Sequence, residues 1–110
     1  MGSDGLKEAI RATTNSAVLT QTTESDLVGY VIVGAQWGVA YLQRIAVHPD
    51  HRGENIGSDL VRGAINWARR TTSQVMVLNV RNENGPARSL YAKEGFTATG
   101  TQLRILRYAL

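Results

Sequence analysis

Residues 39–60 read VAYLQRIAVHPDHRGENIGSDL, and the way this stretch breaks its own period decides the fold. A strand alternates its side chains between two faces with a period of two. Leu42 is apolar at an even position, whereas Ile45 and Val47 are apolar at odd ones, so a regular strand cannot bury all three together. One extra residue restores the alternation, and the pattern predicts a β-bulge between Leu42 and Ile45 in a strand from Val39 to Val47. Past the turn His48-Pro49-Asp50-His51 the period becomes helical, from about Ile56 to Arg70. Ile56, Leu60, Ala64, Trp67 and Ala68 share one face, and Asp59, Arg62, Asn66 and Arg69 share the other. Arg69 and Arg70 suit the carbonyl pole at its end. The next segment, Gln74 to Val80 (QVMVLNV), is almost continuously apolar, as expected of a strand covered on both faces. A strand, a crossing helix and a second strand make parallel neighbours of the two strands.

Upstream, Leu27 to Gly34 (LVGYVIVG) is a β-branched and aromatic strand. Ala17 to Thr22 is another, with the polar turn Glu24-Ser25-Asp26 between them. Gly34 to Gly38 forms a hairpin connection with Trp37 near its tip, so these strands pair antiparallel. Leu6, Ala9 and Ile10 have helical spacing, which predicts a short helix over Leu6 to Ala12 that Asn15 and Ser16 end. Downstream, Asn82 to Asn84 form a loop, Pro86 opens a helix, and Gly95 closes it at Glu94. Thr97 to Gly100 and Leu103 to Ala109 make a final strand pair. The expected class is α/β, one domain over residues 1–110, with a mixed, partly antiparallel sheet flanked by helices.

Composition narrows what such a domain can do. The chain has 110 residues, 43% of them apolar, and no apolar run long enough to cross a membrane as a helix. No basic segment followed by an apolar one marks a secretory signal. Without cysteine there is no disulfide, thiol nucleophile or thiolate zinc site, which fits a reducing, cytoplasmic setting. Twelve Lys+Arg against nine Asp+Glu give a net charge of +3, suited to an anionic ligand and too small to argue for nucleic acid.

The loop Arg52-Gly53-Glu54-Asn55-Ile56-Gly57-Ser58 lies between a strand end and a helix start. Glycines let the backbone approach a ligand closely, and the free N–H groups of the first helical turn form a positive pole, so the loop suits phosphate oxygens. A plain turn before a helix is the alternative. His48 and His51 beside Asp50 have the look of a metal pair, but both stand on a surface turn, and no metal is expected. Trp67 belongs to the apolar helix face and therefore to the core. Trp37 reads as a substrate or subunit contact or as a half-buried packing residue. Arg81, Arg88 and Lys93 read mainly as solvated surface charge, with a phosphate of an anionic ligand as their other use.

Two motifs stand in order along the chain. The first is Ile45-Ala46-Val47-x-Pro49-x-x-Arg52-Gly53-x-x-Ile56-Gly57. The second is Leu78-x-Val80-x-x-x-Asn84-x-x-Ala87-x-x-Leu90-Tyr91-x-x-x-Gly95-Phe96. Together they resemble the GCN5-related N-acetyltransferase (GNAT) family over about Leu42 to Phe96, and most closely the branch that acetylates ribosomal-protein N-termini. The resemblance implies that acetyl-CoA binds where two parallel strands splay, here those ending at Val47 and Val80. Backbone groups of Ile45, Ala46 and Val47 would then pair with pantetheine. Arg52, Gly53, Glu54, Asn55, Ile56, Gly57 and Ser58 would cradle the pyrophosphate. Asn84 and Ala87 would lie along the pantetheine arm, and Tyr91 would give a proton to the departing thiolate. A phenol near 10 donating to a thiolate near 8.5 is uphill by roughly 2 kcal/mol.

Two positions depart from the family pattern. Asn55 stands where the cradle usually has glycine, and asparagine accepts left-handed backbone better than most residues. Asn79 stands where the N-terminal acetylase branch has a glutamate base, and it cannot take that proton. Glu24, Asp26, Glu83 or a water chain are the alternatives. The segment before Ala17 also looks short for the family, lacking a full first strand and one early helix. Those elements normally wall the amine pocket, which leaves that side open, completed by a second subunit as a homodimer, or removed by truncation. The resulting expectation is an N-acetyltransferase acting on a primary amine by direct attack, with an acyl-CoA-binding sensor of the same fold as its rival.

Overall fold

The computed structural model describes residues 5–13, 15–24, 26–100 and 102–110. Four strands, β1 (Gly5–Thr13), β2 (Ser16–Thr23), β3 (Asp26–Gln36) and β4 (Val39–Val47), pair antiparallel in succession. Helix α1 (Ile56–Arg69) then carries the chain to β5 (Val75–Asn79), which lies parallel to β4. Helix α2 (Gly85–Lys93) follows, and the hairpin β6 (Thr97–Thr99) and β7 (Gln102–Ala109) inserts β7 beside β5. The sheet order is β1-β2-β3-β4-β5-β7-β6. Ser25, within the expected turn at Glu24 to Asp26, lies outside the described residues.

Residues 6–12 are a strand and not the helix that Leu6, Ala9 and Ile10 predict. In the pairing of β1 with β2, Glu8 meets Leu19 and Ile10 meets Val18, so Ala9 is an extra residue. That offset breaks the period of two and imitates helical spacing. The segment expected to fall short of a first strand thus supplies nine residues of sheet, paired with β2.

The bulge in β4 is where the broken alternation puts it. Val33 pairs with Leu42 and Ile32 with Arg44, leaving Gln43 as the extra residue. Leu42 is therefore in the core, and Ile45 and Val47 pack against it from the same face. Both helices cover this one face. Ile56 and Leu60 of α1 reach Gly29 in β3, and Leu90 of α2 meets Gly57 of α1. Leu60, Val61, Ala64, Ala68 and Met76 are fully buried there, with Trp67 beside them, as its place on the apolar stripe requires. No described helix covers the opposite face, so β5 is not covered on both sides as its apolar run suggests. Val77 is only half-buried and Asn79 is exposed. The run is apolar because β5 sits between β4 and β7 in mid-sheet, where neighbouring strands shield it edge to edge. No helix among the described residues is long and apolar enough to cross a membrane.

One polar contact ties the helices together. Arg62 Nε donates to Glu94 Oε1 at 2.8 Å, and the Glu94 side chain is only 5% exposed. The Arg62 hydrogen bond holds the Glu94 carboxyl below its ordinary range, with Ser58 donating as well, against an opposing effect of burial. A depressed carboxylate pKa contributes stability above the unfolded value, near 4.3, that is lost as pH falls through the folded value. Urea unfolding of Glu94→Gln should therefore show a deficit at pH 7 that shrinks steadily toward pH 3. An equal deficit at both pH values would remove the ion pair from the account of stability.

Candidate functional site

β4 and β5 pair only through Val39 with Val75, Ala40 with Met76 and Tyr41 with Val77. Immediately afterwards Gln43 bulges from β4, and the two strands separate. β4 continues to Val47 on β3 alone, and β5 continues on β7, with Asn79 paired to Ile105 and Val80 N–H donating to Arg104. The backbone of residues 43–47 on the side away from β3 meets no strand among the described residues. A cleft of about 450 Å³ occupies the gap, lined by Tyr41, Leu42, Gln43, Val77, Leu78, Asn79 and Ile105. Its volume lies within the range of small-molecule sites.

Beyond the open end of β4 stands the start of α1. Its first intrahelical bond runs from Asp59 N–H to Asn55 C=O, so the N–H groups of Ile56, Gly57 and Ser58 precede it. Asn55, the N-cap, makes no capping bond with its side chain. The α2 start differs, because Asn84 Oδ1 accepts from Ala87 N–H at 3.2 Å. The positive pole of α1 is therefore the one left for an anion. Asn55 has φ 64° and ψ 14°, a left-handed conformation that asparagine adopts more readily than most residues other than glycine. Gly53 has φ 86° and nothing within 4 Å of where a Cβ would stand. Gly57 has a different task, since a Cβ there would meet Leu90 at 3.1 Å and Val47 at 4.0 Å. Its lack of a side chain lets the first turn of α1 settle between β4 and α2.

The expected site residues fall into three groups. Ile45, Ala46 and Val47 form the half-buried free end of β4, and Arg52, Gly53, Glu54 and Asn55 form the exposed loop beyond it. Ile56 and Ser58 are buried, and Ser58 donates its hydroxyl toward Glu94, so each can offer a ligand only its backbone N–H. Asn84 spends Oδ1 on the α2 cap and keeps its amide donor, with Ala87 half-buried above it. Tyr91 is 5% exposed, packs edge-on against Phe96 at 5.8 Å, and does not line the cleft. Burial raises its phenol pKa above the ordinary 10, which keeps it a proton-bearing donor at neutral pH. His48 Nδ1 accepts from Asp50 N–H, and His51 Nδ1 lies 3.0 Å from Glu54 Oε1, so both rings are engaged locally. Sequence reasoning did not single out Tyr41, Gln43, Val77 or Ile105. Gln43 was accessible as the residue that breaks the alternation of β4; the others meet only through the strand order.

A sheet that splays beside an uncapped helix start belongs with a known class. Residues 4–96 match the acetyltransferase (GNAT) family, and the chain is a member of it. It is 32% identical over 90 residues to the streptothricin acetyltransferase of Escherichia coli, covering 81% of this chain and 52% of that one. It is 31% identical over 77 residues to a protein of Bacillus subtilis assigned as a ribosomal protein bS18-alanine N-acetyltransferase, covering 70% and 51%. The chain thus spans about half the length of these curated relatives. A Bacillus anthracis protein assigned as a streptothricin acetyltransferase, solved in complex with acetyl coenzyme A, shares the fold with a TM-score of 0.82. The match is 20% identical and covers 90% of this chain and 65% of that one.

The left-handed Asn55 gives a direct check on the loop. Asn55→Gly should leave thermal stability unchanged or raised, whereas Asn55→Val should lower it by about 1–2 kcal/mol. Equal melting temperatures for the two variants would mean that the loop adopts another backbone in solution.

Proposed function

We propose that this chain binds acetyl-CoA and transfers its acetyl group to a primary amine, either a peptide N-terminus or a small amine, by direct attack in a ternary complex. The observation that carries this reading is the parting of β4 from β5 at Gln43, directly before the uncapped start of α1. A pantetheine arm laid in the gap meets the free backbone edge of residues 45–47, and its diphosphate meets the N–H groups of Gly53 to Ser58. The acetyl-CoA bound by the Bacillus anthracis relative supports the same donor here. The absence of cysteine supports a reducing, cytoplasmic setting.

The acceptor nitrogen attacks the thioester carbonyl carbon, a C–N bond forms, and the C–S bond breaks. The sulfur leaves as a thiolate and takes a proton from Tyr91 or solvent, while the proton shed by the attacking nitrogen passes to solvent, from which the phenol is restored. With no cysteine in the chain there is no thiol to carry the acetyl group between two steps, which favours a single direct transfer. Proton transfer from Tyr91 is uphill by at least about 2 kcal/mol, because burial moves the phenol further from the thiol value. A short hydrogen bond or concerted transfer accommodates that gap. The attacking ammonium must first lose a proton, and Asn79 cannot accept it. At pH 7 this costs about 1.4 kcal/mol for an α-amine and roughly 4.6 kcal/mol for a lysine-type amine. Less basic amines are therefore the preferred acceptors. The missing carboxylate at residue 79 equally favours a second reading, an acyl-CoA sensor without turnover.

Acetyl-CoA at about 100 times its Kd should stabilise the chain by roughly 2.7 kcal/mol in a thermal melt. Offered a panel of peptides and amines, the enzyme should also release free CoA thiol, and Tyr91→Phe should slow that release without weakening protection. Protection without thiol release would establish the sensor, and no protection would sink both readings.

A further inference from the structure

We infer that the acceptor of this site carries an anionic group, a carboxylate or its equivalent, close to the amine that is acetylated. The inference rests on the proposed transfer reaction only for the amine; the anion recognition stands on the charges around the cleft.

β4, β5 and β7 supply every residue that lines the gap, and among them these three strands contain no Asp or Glu. They contain three arginines, Arg44, Arg104 and Arg107. Two of these lie on the face of the sheet that the helices leave open. Arg44 pairs with Ile32, whose neighbours Val31 and Val33 point into the helical core, so Arg44 and Ile32 point the other way. Arg107 pairs with Val77, and Ile105 pairs with Asn79; Val77, Asn79 and Ile105 all line the cleft. Side chains directly opposite in an antiparallel pair stand about 5 Å apart, so the Arg107 stem rises beside the wall of the gap. Arg44 rises from the other wall, next to Gln43. Both arginines are exposed, and neither forms an ion pair with a described residue.

The consequence is chemical selection. A polycationic amine approaches two flanking guanidinium groups and finds no carboxylate on β4, β5 or β7, so these strands repel it and offer no compensating partner. An amine with an adjacent carboxylate gives the guanidinium group on either wall a partner for charge-assisted hydrogen bonds while its nitrogen stays over the gap. The cleft's own character completes the description: Tyr41, Leu42, Val77 and Ile105 provide apolar walls, while Gln43 and Asn79 provide neutral hydrogen-bonding groups. Nearby positive charge also favours the neutral form of an acceptor amine, which partly offsets the lack of a base at Asn79.

The test compares L-phenylalanine with L-phenylalaninamide, which differ at the carboxylate and share the apolar body. Binding of each to the CoA-loaded chain is followed by ligand-observed NMR, and turnover by thiol release from acetyl-CoA. The free acid should bind at least about tenfold more tightly than the amide, as expected for a carboxylate held by charged donors. Raised salt and the double variant Arg44→Gln, Arg107→Gln should each collapse that ratio toward one, and Arg44→Lys, Arg107→Lys should retain part of it. Equal binding of acid and amide, preference for the amide, binding of neither, or a ratio that survives the double glutamine variant would overturn the inference. Acid-selective binding, with no thiol release from these two amines or from the wider panel, would overturn the transferase reading and leave this one standing. Turnover without acid selectivity would do the reverse.

Discussion

One additional residue in one strand organises this molecule. Gln43 has no partner on β3, and its insertion does two things together. It resets the alternation so that Leu42, Ile45 and Val47 all face the core, and it marks the point beyond which β4 and β5 no longer pair. A regular β4 would have to expose either Leu42 or the Ile45 and Val47 pair. Burying one such side chain is worth about 1.5–3 kcal/mol. Hydrophobic burial on the helical face and an open gap in the middle of the sheet therefore have a common origin.

The rest of the fold holds that gap in register with a positive pole. Gly57 lets the first turn of α1 lie against Val47 and Leu90, which sets the uncapped N–H groups just past the free end of β4. The Arg62–Glu94 ion pair fixes α1 against α2, and Ser58 joins it from the first turn of the helix. Ser58 is thus tied to the packing of the helices through its side chain and to the uncapped start of α1 through its backbone. The helical face is closed and apolar, while the opposite face presents Tyr41, Gln43, Asn79, Ile105 and two arginines to solvent. This asymmetry gives the two sides of the gap different surroundings across one thin sheet.

Much of this was legible in the residues because the signals are local. The bulge follows from the parity of three apolar positions and α1 from an uninterrupted stripe, while the left-handed Asn55 followed from the family resemblance, which sets it where glycine is usual. What was illegible depends on partners distant in sequence. Strand β1 looked helical because the extra Ala9 disguised its period, and only pairing with β2 reveals the strand. The apolar run of β5 suggested two covered faces, yet its shielding comes from β4 and β7 alongside it. Tyr41 and Val77 meet in the parallel pair that the strand–helix–strand unit predicts, but Ile105 joins them only because β7 inserts between β5 and β6, and no spacing along the chain announces that.

The most direct test is the affinity for acetyl-CoA of a chain lacking Gln43. Deleting that residue leaves Leu42 opposite Val33 and Arg44 opposite Ile32, so every remaining side chain keeps its face while β4 becomes regular. The account predicts a cooperatively folded protein with its strands zipped further together and acetyl-CoA binding weakened beyond about tenfold. A folded deletion variant that binds acetyl-CoA as tightly as the intact chain would contradict it.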